Sequence, residues 1–110
     1  MSVFAKLRAL RVFEKRHLDF LQTLEDFDLV REIGYHQERG DPLTMKALYL
    51  LDLASVATVQ RRLRRLRQFG AVQQIRSESD GRALELCLTP KVQKTFARYA
   101  ELLATGPSGS

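Results

Sequence analysis

A cluster of arginines in the stretch 55–70 is the strongest chemical signal in the sequence. The stretch holds five arginines and no acidic residue: Arg61, Arg62, Arg64, Arg65 and Arg67. Guanidinium groups keep their positive charge and donate paired hydrogen bonds, which suits them to phosphates and to the edge of guanine. A solvated basic helix is the alternative interpretation, so the neighbouring elements must decide between the two.

The same stretch has the spacing of an amphipathic helix, predicted over 55–69. Its apolar residues recur at helical intervals and form a buried stripe: Val59, Leu63 and Leu66. Ser55 is a favourable N-cap and Gly70 a favourable stop. The opposite side then carries small residues and hydrogen-bond donors, and we predict DNA contacts from Ser55, Ala57, Thr58, Gln60, Arg61, Arg64 and Arg65.

Within that set, Gln60 and Arg61 are the predicted base-reading residues. Glutamine can pair with adenine and arginine with guanine, and each good pair gives about 1–3 kcal/mol of discrimination. Arg64 and Arg65 lie further along the helix, where we expect them to contact phosphates. The two remaining arginines lie nearer the flanks, where their stems can cover the edge of the core.

The elements around this helix predict a winged helix-turn-helix. A short helix, capped by Thr44, precedes it over 45–51. After Gly70 the apolar spacing changes from helical to alternating, which predicts two strands within a wing at 71–88. A turn signal separates the strands at Ser79, Asp80 and Gly81.

The predicted wing supplies two further basic side chains. Arg82 follows the turn, and Arg76 lies on the strand before it. An arginine on a wing can enter the minor groove, where narrow A·T-rich segments attract positive charge. The alternative for Arg82 is a surface ion pair with Asp80 or Glu78, worth about 0–1 kcal/mol.

Two further helices give a mainly α fold with one small β-hairpin. The first is predicted over 3–22 and the last over 90–104, on either side of a winged-helix core at 24–89. We expect one domain over 1–105 and a flexible tail at 106–110, because the chain is of ordinary single-domain length.

A helix that begins after Thr23 opens the predicted core. Thr23 and Asp26 form a loose capping box at its start. Its predicted inward stripe consists of Leu24, Phe27, Val30 and Ile33, with either His36 or Gln37 as a further member. We expect its acids to form a solvated face: Asp26, Asp28 and Glu32.

The first and last helices each carry an apolar stripe that needs a cover. The stripe of the first contains Phe4, Leu7, Leu10 and Phe13, between basic residues. The stripe of the last contains Val92, Phe96 and Tyr99. We expect these helices to build a homodimer, since a small domain has few other ways to cover both stripes. Docking of the first helix on an anionic membrane surface is the alternative.

The stretch 43–91 resembles the MarR-type winged-helix regulators. The resemblance is carried by Ser55, Val56, Ala57, Thr58, Val59, Gln60, Arg61, Leu63, Leu66, Gly70, Asp80, Gly81, Arg82, Leu88, Thr89, Pro90 and Lys91. In that family the first of these segments opens the recognition helix, the Asp-x-Arg segment lies on the wing, and Leu-Thr-Pro ends the hairpin. The resemblance implies a homodimer that is built by terminal helices and reads a partly palindromic DNA site.

Other classes of function find little support in the sequence. The chain has 18 basic and 13 acidic residues, a net charge of +5, which suits an anionic partner. His17, His36 and the single Cys87 lack the spacing of a metal site, and no catalytic arrangement or phosphate loop is present. We expect no enzyme activity, no cofactor, no small-molecule ligand, no membrane partner and a cytoplasmic location.

The predicted function is therefore sequence-specific binding of double-stranded DNA by a transcription regulator. The recognition helix at 55–69 would lie in the major groove and the wing at 71–88 at the minor groove. A winged-helix module that binds another protein without reading DNA is the alternative. RNA or single-stranded DNA is less favoured, because no aromatic residues are interleaved with the arginines.

Overall fold

A computed structural model describes residues 2–105, and that part of the chain contains five helices and one two-stranded antiparallel sheet. In chain order the elements are α1 (Val3–His17), α2 (Leu24–Glu38), α3 (Met45–Leu50), α4 (Val56–Phe69), β1 (Val72–Arg76), β2 (Leu84–Leu88) and α5 (Pro90–Thr105). Their types and order confirm the predicted fold class. The predicted tail at 106–110 lies outside the described residues.

The contacts divide the chain into two compact units. One is the segment 21–89, which contains the winged helix-turn-helix. The other combines the terminal segments, up to Phe20 and from Pro90 onward. The two boundaries fall close to those expected for the predicted core, and the expectation of one domain over 1–105 stays a prediction.

α1 is shorter than the predicted helix, which extended to residue 22. It begins after Ser2, whose Oγ accepts a hydrogen bond from the Ala5 N–H, and it ends at His17. The residues that follow are buried although they are not helical: Leu18, Phe20 and Leu21. One stripe of a helix cannot bury positions 18 and 20 together, because they lie about 200° apart around its axis. An irregular connection buries all three side chains.

α2 begins at the predicted capping box. The Asp26 N–H donates to Thr23 Oγ1 over 3.1 Å, and the Thr23 N–H donates to the Asp26 carboxylate over 3.3 Å. The buried stripe is rotated from the predicted one and consists of Asp26, Leu29, Val30 and Ile33. Leu24 is 80% exposed, since it lies on the opposite side of the helix from Asp26.

The connection between α3 and α4 is a tight turn. Thr44 and Ser55 cap the two helices, and each side-chain oxygen accepts a hydrogen bond from a backbone N–H in the first turn. Asp52, between them, has a φ of 53°, in the left-handed region that aspartate tolerates better than most residues. This single residue lets the chain reverse direction within the few residues of the turn.

The wing is an antiparallel hairpin in which Val72 lies opposite Leu88. Its connection spans 77–83 and is therefore wider than the two-residue turn that an Asp-Gly pair often forms. The Ser77 N–H donates to the Ala83 carbonyl over 2.9 Å and closes this loop at its base. The predicted position of the turn is correct, and its form is that of a longer loop.

The core of the segment 21–89 fills the space between its helices and the hairpin. Its large, fully buried apolar side chains are Leu29, Ile33, Leu48, Val59, Leu66 and Leu86. α2 packs closely on β2: a Cβ added at Gly34 would lie 3.1 Å from Leu88 Cδ1. The Leu88 N–H also donates to Gln37 Oε1 over 2.7 Å, which fixes the end of the wing to α2.

In the other unit, α1 packs against α5 through aromatic residues. The rings of Phe13 and Tyr99 stack with centroids 5.4 Å apart, and the Tyr99 hydroxyl donates to Glu14 over 2.7 Å. Arg98 lies over the Phe13 ring. Several apolar side chains of these two helices remain at least half exposed: Val3, Phe4, Leu7, Val12 and Leu103. Among the described helices, none has the length and apolar character that a membrane crossing requires.

The left-handed conformation at the end of α4 gives a test of local stability. Gly70 has a φ of 90°, and a Cβ added there meets no atom within 4 Å. We expect Gly70→Ala to lower the free energy of unfolding by about 1–2 kcal/mol, because an L residue with a Cβ is strained at this positive φ even where no neighbouring atom is close. Urea unfolding monitored by circular dichroism measures the change.

Gly81→Ala is the matched control. Gly81 also has open space around its Cα, but its φ is outside the left-handed region. We expect this substitution to leave the free energy of unfolding within about 0.5 kcal/mol of the wild type. Equal losses for the two variants would contradict the interpretation.

Candidate nucleic-acid interface

The two sides of α4 differ sharply in burial and chemistry. Its apolar stripe is buried as predicted: Val59, Leu63 and Leu66 are each at most 2% exposed. The opposite side is open to solvent and presents Ala57, Gln60, Arg61, Arg64 and Gln68. The helix is thus a rod anchored by one stripe, with amide and guanidinium donors on its outward side.

The N-terminal end of α4 is ordered by its cap. Ser55 Oγ accepts a hydrogen bond from the Thr58 N–H over 3.2 Å and donates to Thr58 Oγ1 over 3.0 Å. Ser55 and Ala57 are exposed, and Thr58 is half-buried. Small side chains at this end let a partner approach the backbone, and the helix dipole favours an anion there.

Asp26 is not on a solvated face, contrary to the prediction. Its side chain is fully buried, and it forms a bidentate ion pair with Arg62 of α4. Arg62 Nε lies 2.7 Å from Oδ1, and Arg62 Nη2 lies 2.6 Å from Oδ2. The backbone N–H groups of Gln22 and Thr23 donate to the same carboxylate. The prediction failed because Arg62 lies 36 residues further along the chain, and no local sequence pattern indicates a partner at that distance.

The ion pair shifts the pKa values of both partners. Burial alone would raise the pKa of Asp26, but the hydrogen bonds from Arg62, Gln22 and Thr23 and the positive charge of Arg62 outweigh it. The pKa of Asp26 therefore lies below its ordinary value, and the hydrogen bond to Asp26 raises the pKa of Arg62. Both groups are charged throughout the neutral range.

Arg65 lies between the buried pair and the outward face. Its Nη1 is 3.7 Å from Asp26 Oδ2, and its side chain is 29% exposed. In position it follows Arg61 by four residues, so the two side chains lie on the same side of α4. Of the residues predicted to contact DNA from α4, Arg65 is the one that the structure brings to an acidic partner. Its contact with phosphate stays a prediction.

On the wing, the two predicted arginines are exposed but differ in their contacts. Arg76 Nη1 donates to the carbonyl oxygen of Gly81 and so joins the strand to its own loop. The backbone N–H of Arg82 donates to the Asp80 carboxylate over 3.0 Å. Within residues 2–105 no ion pair links the Arg82 side chain to Asp80 or Glu78, which was the alternative considered for it.

A shallow groove extends the outward face toward the hairpin. Arginine and glutamine side chains line most of it: Arg64, Arg67, Gln68, Gln73 and Gln74, together with Val72. The groove has no carboxylate among these lining residues, so its electrostatic character continues that of α4. The two glutamines of β1 were not predicted to belong to this face, since they lie on a strand beyond the helical periodicity.

Solved structures share the fold of this chain. The crystal structure of MarR is 25% identical over 88% of this chain and 74% of its own, with a TM-score of 0.54. This chain has the MarR-type winged-helix fold. A transcriptional regulator from Thermotoga maritima is 24% identical over 89% of this chain and 63% of its own, with a TM-score of 0.61. No protein-family model and no curated protein matches the sequence.

Some of the similar structures were solved with nucleic acid. The transcriptional repressor CouR, bound to a 23-mer DNA duplex, is 24% identical over 92% of this chain and 68% of its own, with a TM-score of 0.56. The resemblance predicted from 43–91 is thus confirmed for the fold. Among the described residues, no group of histidine, cysteine and acidic side chains has a metal-binding arrangement.

The buried Asp26 gives a prediction on stability. We expect Asp26→Ala to lower the free energy of unfolding by about 3 kcal/mol near neutral pH, because Arg62 loses its buried partner. The effect should shrink as the pH falls below the ordinary pKa of 3.8, since a carboxylate with a lowered pKa stabilises the fold only while it is ionised. Urea unfolding of both proteins across the acidic range measures the difference.

Asp28→Ala is the control on the same helix. Asp28 pairs with Arg31 over 4.0 Å, and both side chains are well exposed. Exposed pairs of this kind contribute about 0–1 kcal/mol. A loss for Asp26→Ala no larger than that for Asp28→Ala would show that the buried pair is not a major source of stability.

Proposed function

We propose that the chain is a transcription regulator that binds double-stranded DNA in a sequence-specific manner. The observation that supports this most directly is the division of α4 into a buried apolar stripe and an outward side of amide and guanidinium donors. A major groove about 12 Å wide accepts a helix of this kind. The fold is also that of CouR, which was solved on a DNA duplex, and of a Staphylococcus aureus MepR solved as a DNA complex.

In the proposed complex the first half of α4 reads bases. Gln60 and Arg61 are both exposed and lie within two turns of the helix start. Glutamine reads adenine and arginine reads guanine through paired hydrogen bonds in the major groove. Ser55, Ala57 and Thr58 let the helix approach closely, and the N–H groups at the start of the helix favour a nearby phosphate.

The remaining basic side chains are assigned to the backbone and the minor groove. Arg64 is exposed, and with Arg65 it lies one turn beyond the base-reading residues, where a helix in the major groove approaches the flanking phosphates. Arg82, at the tip of the wing, is the proposed minor-groove residue. Arg76 supports the loop that carries Arg82 and offers its remaining donors to phosphate.

The proposal includes a homodimer that binds two half-sites. Apolar side chains of α1 and α5 are exposed in the single chain, which favours a second copy as their cover: Val3, Phe4, Leu7 and Leu103. In a two-fold dimer the recognition helices would lie about 34 Å apart and fit successive major grooves.

We further propose a cytoplasmic role without catalytic activity, since DNA binding alone accounts for the features of α4 and the wing.

Salt-dependent binding tests the proposal. We expect the protein to bind random duplex DNA with an affinity that falls steeply as salt rises, because cations released from phosphates drive such binding. Fluorescence anisotropy over a salt series measures this. A winged helix that binds only another protein would show no salt-dependent affinity for the duplex.

Two substitutions on α4 separate the proposed roles. After selection of a preferred duplex, Arg61→Ala should weaken binding to it by about 1–3 kcal/mol more than binding to random DNA. Arg64→Ala should weaken both about equally and reduce the salt slope by about one. Arg8→Ala, which removes an exposed arginine from α1, is the control and should leave both affinities nearly unchanged. A preserved sequence preference in Arg61→Ala would refute its assignment as a base-reading residue.

The oligomeric state gives an independent prediction. We expect sedimentation at micromolar concentration to show a dimer, and Phe4→Glu to shift it toward the monomer, because Phe4 is 76% exposed in the single chain. Lys15→Glu, at an exposed position on the same helix, is the control for the change in charge. A wild-type monomer would remove the dimer from the proposal, and binding of α1 to anionic vesicles would then be measured as the alternative.

A further inference from the structure

The five arginines of α4 are not equivalent in the structure. Arg62 is held by two short hydrogen bonds to Asp26, and only 16% of its side chain is exposed. Arg65 is drawn toward the same carboxylate, at 3.7 Å. The other three arginines of α4 are exposed. The carboxylate thus divides the basic helix into arginines that are held and arginines that face outward.

Asp26 is well placed to hold the side chains of Arg62 and Arg65. Its carboxylate is fully buried and accepts backbone hydrogen bonds from Gln22 over 2.9 Å and Thr23 over 3.3 Å. These bonds fix the negative charge at the start of α2, so it cannot follow an arginine toward solvent. An arginine that turns toward DNA must therefore give up its contact with Asp26.

A DNA phosphate offers that exchange to Arg65 more readily than to Arg62. Arg65 lies on the same side of α4 as Arg61, and its approach to Asp26 is longer than a hydrogen bond. Arg62 lies about 100° around the helix from Arg61 and has two short bonds to lose. A phosphate that faces Arg61 thus competes with Asp26 chiefly for Arg65.

We propose that Asp26 limits the sequence-independent affinity for DNA by withholding Arg62 and competing with phosphates for Arg65. This inference rests on the proposed function. Sequence-independent affinity grows with the number of phosphates that basic side chains neutralise. A fixed carboxylate beneath the recognition helix lowers that number, while the base-reading positions Gln60 and Arg61 keep their freedom. Asp26 therefore acts through the arginines, without contact to DNA.

Asp26→Asn tests the inference, because it removes the charge and keeps a side chain of the same size. We expect it to bind random duplex DNA more tightly and with a steeper salt dependence. Each arginine released to a phosphate should increase the magnitude of the log–log slope by about 0.9, or about eightfold in affinity near 0.1 M salt. Fluorescence anisotropy over a salt series gives both quantities, and circular dichroism confirms that the variant is folded.

Asp28→Asn is the matched control, since it changes the net charge equally on the same helix and contacts Arg31 rather than α4. A general effect of charge would move both variants alike, whereas release of arginines moves only Asp26→Asn. A slope for Asp26→Asn equal to that of Asp28→Asn overturns the inference. Loss of a buried contact alone would weaken binding, which is the opposite of the expected result.

A second comparison keeps the test valid if Asp26→Asn does not fold. In the otherwise unchanged protein, Arg65→Gln should reduce the salt slope by clearly less than Arg64→Gln does, because Asp26 competes with phosphates for Arg65 but not for Arg64. Equal reductions would overturn the inference.

If the wild type shows no salt-dependent duplex binding, the proposed function fails and the inference fails with it. Wild-type binding with equal losses for the two arginine variants overturns the inference alone.

Discussion

The ion pair between Asp26 and Arg62 is the constraint on which the orientation of the candidate interface depends. Apolar contacts hold α4 to the core and determine which of its sides is buried, but they are not directional and tolerate small rotations of a helix about its axis. A bidentate pair with distances of 2.6 and 2.7 Å does not tolerate such rotation. Since the carboxylate is also bound to the backbone at the start of α2, it fixes the rotation of α4 relative to α2, while the apolar stripe determines which side of α4 faces outward.

Most of the fold was predictable from signals that act over a few residues. Ser55 and Gly70 mark the ends of α4, and both act through the backbone of neighbouring residues. The spacing of the apolar stripe predicts which side of the helix is buried, since a regular helix has a fixed angle per residue. The exposed residues on the opposite side follow from the same geometry, so the candidate interface was largely visible in the sequence.

The features that escaped prediction depend on contacts between distant parts of the chain. Asp26 was assigned to a solvated face, because an aspartate at the start of a helix is commonly exposed and nothing nearby marks its partner. The buried side of α2 also differs from the predicted one, since Leu24 faces outward and Leu29 inward. The end of α1 was also misjudged, because Leu18 and Leu21 are three residues apart, as on one face of a helix, but lie in an irregular segment.

The bond from Arg76 to the Gly81 carbonyl has a consequence for how the wing meets a partner. A seven-residue loop, 77–83, would by itself sample many shapes, and ordering it on contact would weaken association. Here Arg76, at the end of the strand that leads into the loop, donates to the Gly81 carbonyl on the other side of the loop. The Ser77 N–H donates to the Ala83 carbonyl at its base. Much of the conformational entropy of the loop is thus lost when the protein folds rather than when it binds. The tip of the wing is therefore already ordered when it meets a partner.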